Sequence, residues 1–248
     1  MATAPHPVLE QYYGREGDRR RFVTGLFDGS ARCYDAVCAL ISLGSGNWYR
    51  GWALRRAGLR PGMQVLDVAT GTGLVARAAT RIVGSARGVV GVDPSAGMLG
   101  QARRSFAGAL AQGRVEELPF AEGRFDFLSI GYALRHAADL EVACRECFRV
   151  LAPGGRLLIL EISRPSSRAV RWLIRAYFTR VLPLAMAPGA RRAQTRTLMR
   201  YYWDTIETCV PPETILDVLR RAGFTRVERR VLGGLLSEYE ATRPRASA

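Results

Sequence analysis

The run Val65-Leu66-Asp67-Val68-Ala69-Thr70-Gly71-Thr72-Gly73, followed by Asp93-Pro94, has the residue types and spacing of a nucleoside-binding site. Glycines let a backbone come close to a ligand, and a carboxylate at the tip of the next strand can accept both ribose hydroxyls. Asp67 then separates the candidate cofactors. It falls at the end of the first strand, where a dinucleotide would place its pyrophosphate. An anion there repels phosphate and favours the ammonium and sulfonium of S-adenosylmethionine. Asp67 can equally cap the turn or the following helix, a common role for Asp and one compatible with the first. The glycine fingerprint alone is a weak signal, with Ala76 at its third position, and the absence of any lysine for a Tyr-x-x-x-Lys pair counts with Asp67 against a nicotinamide reductase.

The elements that must position these residues follow from periodicity. Gln64–Ala69, Gly88–Val92, a short segment near Val115, Phe125–Ile130 and Arg156–Ile162 read as strands alternating with helices such as Leu74–Val83 and Leu140–Val150. That alternation predicts a parallel sheet covered on both faces. Pro153-Gly154-Gly155 stops the helix before the fifth strand. Residues 19–60 read as helices broken at Gly44-Ser45-Gly46, residues 163–210 carry no strand pattern, and Pro212–Ala222 is a helix. Thr225–Leu232 and Leu235–Thr242 form a terminal antiparallel hairpin. Residues 1–18 read as loosely held. Ligands of such sheets sit outside the carboxyl ends of the strands, so the glycine turn, Asp93, Gly131–His136 and Glu161–Arg164 should converge.

A length of 248 residues fits one α/β domain with a modest elaboration. No apolar stretch reaches transmembrane length, no signal peptide is evident, and an odd count of five cysteines suits a reducing cytoplasm. Cys144 and Cys147 have redox-motif spacing but fall inside a helix, where they read as packing residues. With only His6 and His136 besides, no metal site is expected. The net charge of +14 rests on 36 basic residues, all arginine. Such an excess favours nucleic acid, acidic partners or an anionic membrane surface. No nucleic-acid module is present, which leaves the membrane or a solvated basic face. Within 168–185, Val170, Leu173, Ile174, Tyr177 and Val181 share a helical face beside Arg168, Arg171 and Arg175. That segment reads as a lid burying its stripe against the domain or as an interfacial helix.

From about residue 20 to about residue 242 the chain resembles the UbiE-type C-methyltransferases of ubiquinone and menaquinone biosynthesis. The resemblance is carried by Leu26-Phe27-Asp28 with Tyr34-Asp35, by Asp67–Gly73 and Val92-Asp93, and by Glu116–Phe120 with Phe125-Asp126. Gly131–His136, Leu151–Arg156, Glu161–Pro165, Tyr201–Ile206 and Gly233-Gly234 continue it. It departs from the family pattern at Arg114, where Asn or Asp usually meets the adenine amino group, at Gly131 for a serine, and at His136 for an asparagine.

The resemblance implies a class I, Rossmann-like α/β fold, doubly wound, with a mostly parallel seven-stranded sheet ending in an antiparallel hairpin. It implies a helical cap over 1–60 and a methyltransferase domain over 61–248, with a helical lid insertion over 163–210, in one structural unit. The cofactor would lie against Asp67, Ala69, Gly71, Thr72, Gly73, Asp93, Pro94, Met98, Arg114, Val115 and Gly131. Val115 would offer its backbone N–H to the adenine. The substrate implied is a prenylated quinol methylated on ring carbon, with another small aromatic as the alternative and a non-catalytic scaffold as a third reading. Arg135 is the candidate to stabilise an ionised ring hydroxyl, against a structural ion pair with Asp139. His136 is the more natural proton acceptor by pKa, against a packed or capping residue. Tyr34, Tyr132 and Tyr201 are candidate substrate contacts, against ordinary core packing. An enzyme handling a tailed substrate would sit in the cytoplasm at the inner face of the membrane, and a homodimer is compatible with this reading.

Overall fold

The computed structural model describes residues 3–185 and 190–245. Three helices open the chain: α1 (Glu16–Ser30), α2 (Tyr34–Ile41) and α3 (Gly46–Arg56). The alternating region runs β1 (Val65–Val68), α4 (Leu74–Val83), β2 (Val89–Asp93), α5 (Ala96–Ala102), β3 (Ala109–Gln112), β4 (Phe125–Gly131), α6 (Leu140–Val150) and β5 (Leu151–Ile162). A helical stretch follows, α7 (Arg168–Ala176), α8 (Leu182–Ala185) and α9 (Ala190–Glu207), then α10 (Pro212–Arg221) and the hairpin β6 (Thr225–Leu232) and β7 (Leu236–Thr242).

The sheet has seven strands in the order β3-β2-β1-β4-β5-β7-β6, parallel from β3 to β5 and antiparallel through the hairpin. β1 and β2 are buried at every position, as expected of parallel strands covered on both faces. Alternate residues feed two cores. Leu66, Val68, Leu128, Ile130, Leu157 and Ile159 pack with the α6 and α10 side, while Val65, Phe127, Leu158 and Leu160 pack with the α3 and α4 side. Cys144 and Cys147 sit in the first of these cores. A further cluster joins α1, α2, the segment 177–181 and α9 through Phe27, Val37, Phe178, Leu198, Met199 and Tyr202.

Strand order reverses between β1 and β4, so the chains leaving these neighbours diverge and open a crevice at their carboxyl ends. Both exits are sharp. Ala69 (φ +52°) and Tyr132 (φ +62°) adopt the left-handed conformation that L-residues usually avoid.

Three elements differ from the sequence-based expectation. The third strand is Ala109–Gln112, not a segment near Val115, which instead lies in a loop bridged by Arg114 and Glu117. Ala-Leu-Ala-Gln is a partly exposed edge strand with no β-branched residue, so neither propensity nor alternation marks it. The N-terminal segment is packed from Thr3 onward. Val210 N–H donates to the Pro5 carbonyl, Leu140 N–H to the Thr3 carbonyl, and Leu9 and Tyr13 are buried. The helix over 168–185 is not continuous, because Tyr177–Val181 form a π turn between α7 and α8. That turn shifts the helical phase and divides the apolar stripe. Ile174, Tyr177, Phe178 and Leu182 face the core, while Val170, Leu173 and Val181 are exposed.

Candidate functional site

A cavity of about 450 Å³ opens at the carboxyl ends of β1, β2 and β4, a size suited to a cofactor-scale ligand. Ala69, Gly71, Asp93, Pro94, Met98, Arg114, Val115 and Gly131 line it, as do Tyr34, Tyr132 and His136. Asp67, Thr72, Gly73, Arg135 and Tyr201 do not line it, although each supports a residue that does or the turn beside it.

Asp67 is fully buried and accepts the Thr70 hydroxyl at 2.6 Å on one oxygen and the Ser129 hydroxyl at 2.6 Å on the other. Burial raises its carboxyl to about 6, with the two hydroxyls opposing that rise. It therefore shapes the glycine turn and joins it to β4. Asp93 accepts the Gly71 and Ser95 backbone N–H groups, each at 2.8 Å, and burial raises it also to about 6. A carboxylate has lone pairs for about four hydrogen bonds, so capacity remains for ribose hydroxyls. A Cβ built on Gly71 (φ +57°) would meet no atom within 4 Å, so the turn faces open space. An open backbone cradle, an acid at the tip of β2, and a wall of Pro94, buried Met98 and Val115 together fit S-adenosylmethionine.

The two N-terminal motifs clamp the glycine turn after β1 and the turn after β2. Asp28 of α1 accepts the Ser95 hydroxyl at 2.5 Å and the Gly97 N–H at 2.8 Å. Asp35 of α2 accepts the Thr72 hydroxyl at 2.5 Å and pairs with Arg77 at 3.3 Å. Thr72 thus reaches outward to α2. Arg114 turns away to Glu117 at 2.9 Å.

Arg135 is buried and ion-paired with Glu161 of β5 at 2.5 Å; Asp139, the partner weighed from sequence, instead caps α6. The guanidinium also donates to the Tyr132 carbonyl at 2.8 Å and the Thr205 hydroxyl at 3.2 Å, and its carbon lies 4.6 Å from the Tyr202 ring centre. Glu161 is the main influence raising Arg135 against the penalty of burial. His136 stacks on Tyr201 with ring centres 5.4 Å apart and meets the edge of Phe27. Burial first, then the charge of Arg135, lowers its pKa well below the usual imidazole range, so the ring is neutral at physiological pH.

Several lining residues were not named as contacts from the sequence: Arg19 and Ser95, and Phe27, Glu116 and Tyr202, which entered only as members of the motifs that carry the resemblance. Helix phase alone decides that Tyr202, whose hydroxyl lies 2.6 Å from that of Tyr34, reaches the cavity while Tyr201 lies beneath it. Arg19 is one among 36 basic residues, and no sequence signal could have distinguished it.

Comparison with known proteins agrees with this architecture. A demethylmenaquinone methyltransferase of Parafrankia sp. (strain EAN1pec) is 36% identical over 244 residues, covering 90% of this chain and 94% of its own. A ubiquinone/menaquinone biosynthesis C-methyltransferase of Hahella chejuensis is 34% identical, covering 84% of this chain and 85% of its own. In fold alone, an S-adenosylmethionine-dependent methyltransferase of Thermotoga maritima superposes with a TM-score of 0.62 at 19% identity, over 88% of this chain and 98% of that one. The profile of the ubiE/COQ5 methyltransferase family matches residues 15–241. With the family profile spanning residues 15–241 and a relative 36% identical over 90% of the chain, the chain belongs to the ubiE/COQ5 methyltransferase family of S-adenosylmethionine-dependent enzymes.

Proposed function

We propose that this protein methylates a ring carbon of a demethylated, prenylated quinol. The observation that carries the reading is the lining of the cavity beside Asp93. Phe27, Tyr34, Tyr132, Tyr202 and Met98 form an apolar aromatic enclosure, with His136 as a polar group on its wall. Flat aromatic walls hold a flat ring by stacking and edge contacts. The quinol itself is suggested by the names of the relatives from Parafrankia and Hahella.

When bound, S-adenosylmethionine supplies a methyl group on a good leaving group, so the chain's own task is to bind, orient and exclude water. Asp93 holds the ribose, and the Ala69–Gly71 backbone admits the amino-acid end. Pro94, Met98 and Val115 enclose the adenine, with Gly131 on the wall between cofactor and substrate. Asp67 fixes the turn and contributes negative charge beneath it. Tyr34, Tyr132 and Tyr202 flank the substrate ring. Arg135 acts as a positioning residue, since its bonds to Tyr132, Glu161 and Thr205 set the shape of the segment that presents His136.

The outward faces of α7, the π turn and α8 carry exposed Val170, Trp172, Leu173, Val181 and Leu184 among Arg168, Arg175 and Arg180. This basic, apolar face rests on an anionic membrane surface, where a tailed quinol resides.

The decisive experiment offers S-adenosylmethionine with short-tailed demethylmenaquinol, the matching demethylated benzoquinol, and unprenylated phenols. Formation of S-adenosylhomocysteine and the position of the new methyl are read out. The expected result is methylation on ring carbon, confined to a prenylated quinol. Turnover confined to unprenylated phenols, or a methyl on oxygen, overturns the reading.

A further inference from the structure

The turn between α2 and α3 exposes a leucine and a tryptophan that the methyl-transfer site does not use. Leu43 is 84% exposed and Trp48 is 70% exposed, the two most open large apolar side chains of the described residues. Leu43 is also strained, since its φ of +49° is the left-handed conformation that glycine or asparagine normally takes where a helix ends. The turn around it is held in place. The Gly44 N–H donates to the Ala39 carbonyl at 2.9 Å, and the Ser45 hydroxyl donates to the Ser42 carbonyl at 2.7 Å. Trp48 is held as well. Its ring stacks on that of Trp52, one turn on, with centres 6.0 Å apart and planes 11° from parallel. The Arg56 guanidinium lies 4.0 Å from the Trp52 ring centre and pairs with buried Glu238 of β7. A strained leucine and a braced tryptophan in open water cost the fold free energy that burial against a partner would recover.

Charge identifies the partner. The sequence has no Asp or Glu between Asp35 and Asp67, and none between Glu161 and Asp204. These are its two longest acid-free runs; the first holds the α2–α3 corner and the second holds α7, the π turn and α8. The fold brings the two together. The Tyr177 hydroxyl donates to the Leu40 carbonyl at 2.7 Å, and Leu40 and Ile41 share an apolar cluster with Tyr177 and Leu182. The corner therefore adjoins the basic, apolar face already described, and Arg55 and Arg60 add exposed positive charge at the far end of α3. Two copies meeting through such a surface would set arginine against arginine, with no carboxylate from either run to answer it. An anionic bilayer answers that charge with its phosphates. It also receives leucine and tryptophan at the boundary between headgroups and acyl chains, where indole rings concentrate.

We infer that the α2–α3 corner is a second lipid-docking element, which sets Leu43 and Trp48 into the headgroup boundary of an anionic bilayer while Arg55 and Arg60 meet lipid phosphates. The inference rests on the membrane reading of α7 and α8 above. One helical face on a bilayer leaves a protein free to roll about the helix axis, and a second insertion point removes that freedom. The same helix ties lipid to site. Its first residue, Tyr34, lines the cavity, and Asp35 holds the glycine turn through Thr72. Cavity wall and lipid contact thus lie at opposite ends of the eight-residue α2, about 12 Å apart.

Tryptophan fluorescence tests the corner, using vesicles of equimolar phosphatidylglycerol and phosphatidylcholine, the latter brominated on its acyl chains. Trp172→Phe removes the α7 signal and Trp203 is buried, so Trp48 and Trp52 report. Their emission should shift to the blue and be quenched by bromine. In the otherwise unaltered chain, Leu43→Asn with Trp48→Gln should weaken vesicle binding about tenfold. Asparagine tolerates the left-handed turn, so S-adenosylhomocysteine binding and the thermal melt should be retained. Unchanged vesicle affinity in that variant and unquenched tryptophans, with Trp172→Glu and Leu173→Glu still abolishing flotation, overturn the corner and leave the α7–α8 face in place. Wild-type protein that ignores phosphatidylglycerol vesicles overturns the membrane reading and the corner with it. A dimer in sedimentation that Trp48→Gln dissolves makes a second copy the occupant and overturns the lipid assignment.

Discussion

Both oxygens of Asp93 already accept backbone N–H groups, and its raised pKa means that the ligand-free fold holds this proton more tightly than an unfolded chain would. The same holds for Asp67. Their contribution to the stability of the ligand-free protein is therefore greatest below the ordinary value of 3.8 and is lost as pH rises toward about 6. In the proposed ribose contact the hydroxyls donate to the carboxylate, so cofactor affinity should run the opposite way. S-adenosylhomocysteine should bind about tenfold more weakly at roughly one pH unit below the Asp93 pKa than well above it. Calorimetric titration across that range checks this, and Asp93→Asn should flatten most of the dependence. An unchanged slope in that variant would assign the titration to Asp67.

At the scale of elements, Arg135 joins the turn after β4, strand β5 through Glu161, and helix α9 through Thr205 and the Tyr202 ring. Removing one member of a buried ion pair leaves the other charged and unanswered, which typically costs more than the intact pair contributed. Arg135→Ala should thus lower the unfolding free energy by about 3 kcal/mol, read from urea melts. The double variant Arg135→Met with Glu161→Leu should recover much of it. A single variant with an unchanged melt but no turnover would return Arg135 to direct catalysis. The clamps of Asp28 and Asp35 work on the same scale, since each ties an N-terminal helix to one of the two turns beside the cavity.

Over the whole molecule, +14 net charge and an exposed apolar face on α7 and α8 act together. No helix of the described residues is long and apolar enough to cross a membrane. A polybasic face gains about 1 kcal/mol per arginine at an anionic surface, and salt screens that gain. The protein should co-float with vesicles containing phosphatidylglycerol and not with phosphatidylcholine alone. Added salt or the pair Trp172→Glu and Leu173→Glu should release it. Equal recovery on both lipids, or on neither, would remove the membrane from the account.

The parallel sheet, its terminal hairpin and the cofactor turn were legible in the chain because their signals are local. Apolar runs, a glycine pair and an acid at fixed spacing reflect backbone geometry that neighbouring residues dictate. Gly71 and Asp93, which line the cavity, could be placed at the carboxyl ends of the strands for that reason. Edge strand β3 escaped because Ala-Leu-Ala-Gln pairs on one side only and buries little. The packing of the N-terminal segment escaped because Pro5 and Thr3 find their partners at Val210 and Leu140, far along the chain. The choice of Tyr202 over Tyr201 and the pairing of Arg135 with Glu161 rest on helix phase and on contacts between distant segments. The meeting of His6 and Arg19 rests on such contacts too, and residue type and spacing do not encode them. The sequence by itself determined the fold and the cofactor, since local periodicity specifies strands and turns. Only the tertiary structure decided which charged groups face the cavity, because that depends on which distant partners satisfy each buried polar atom.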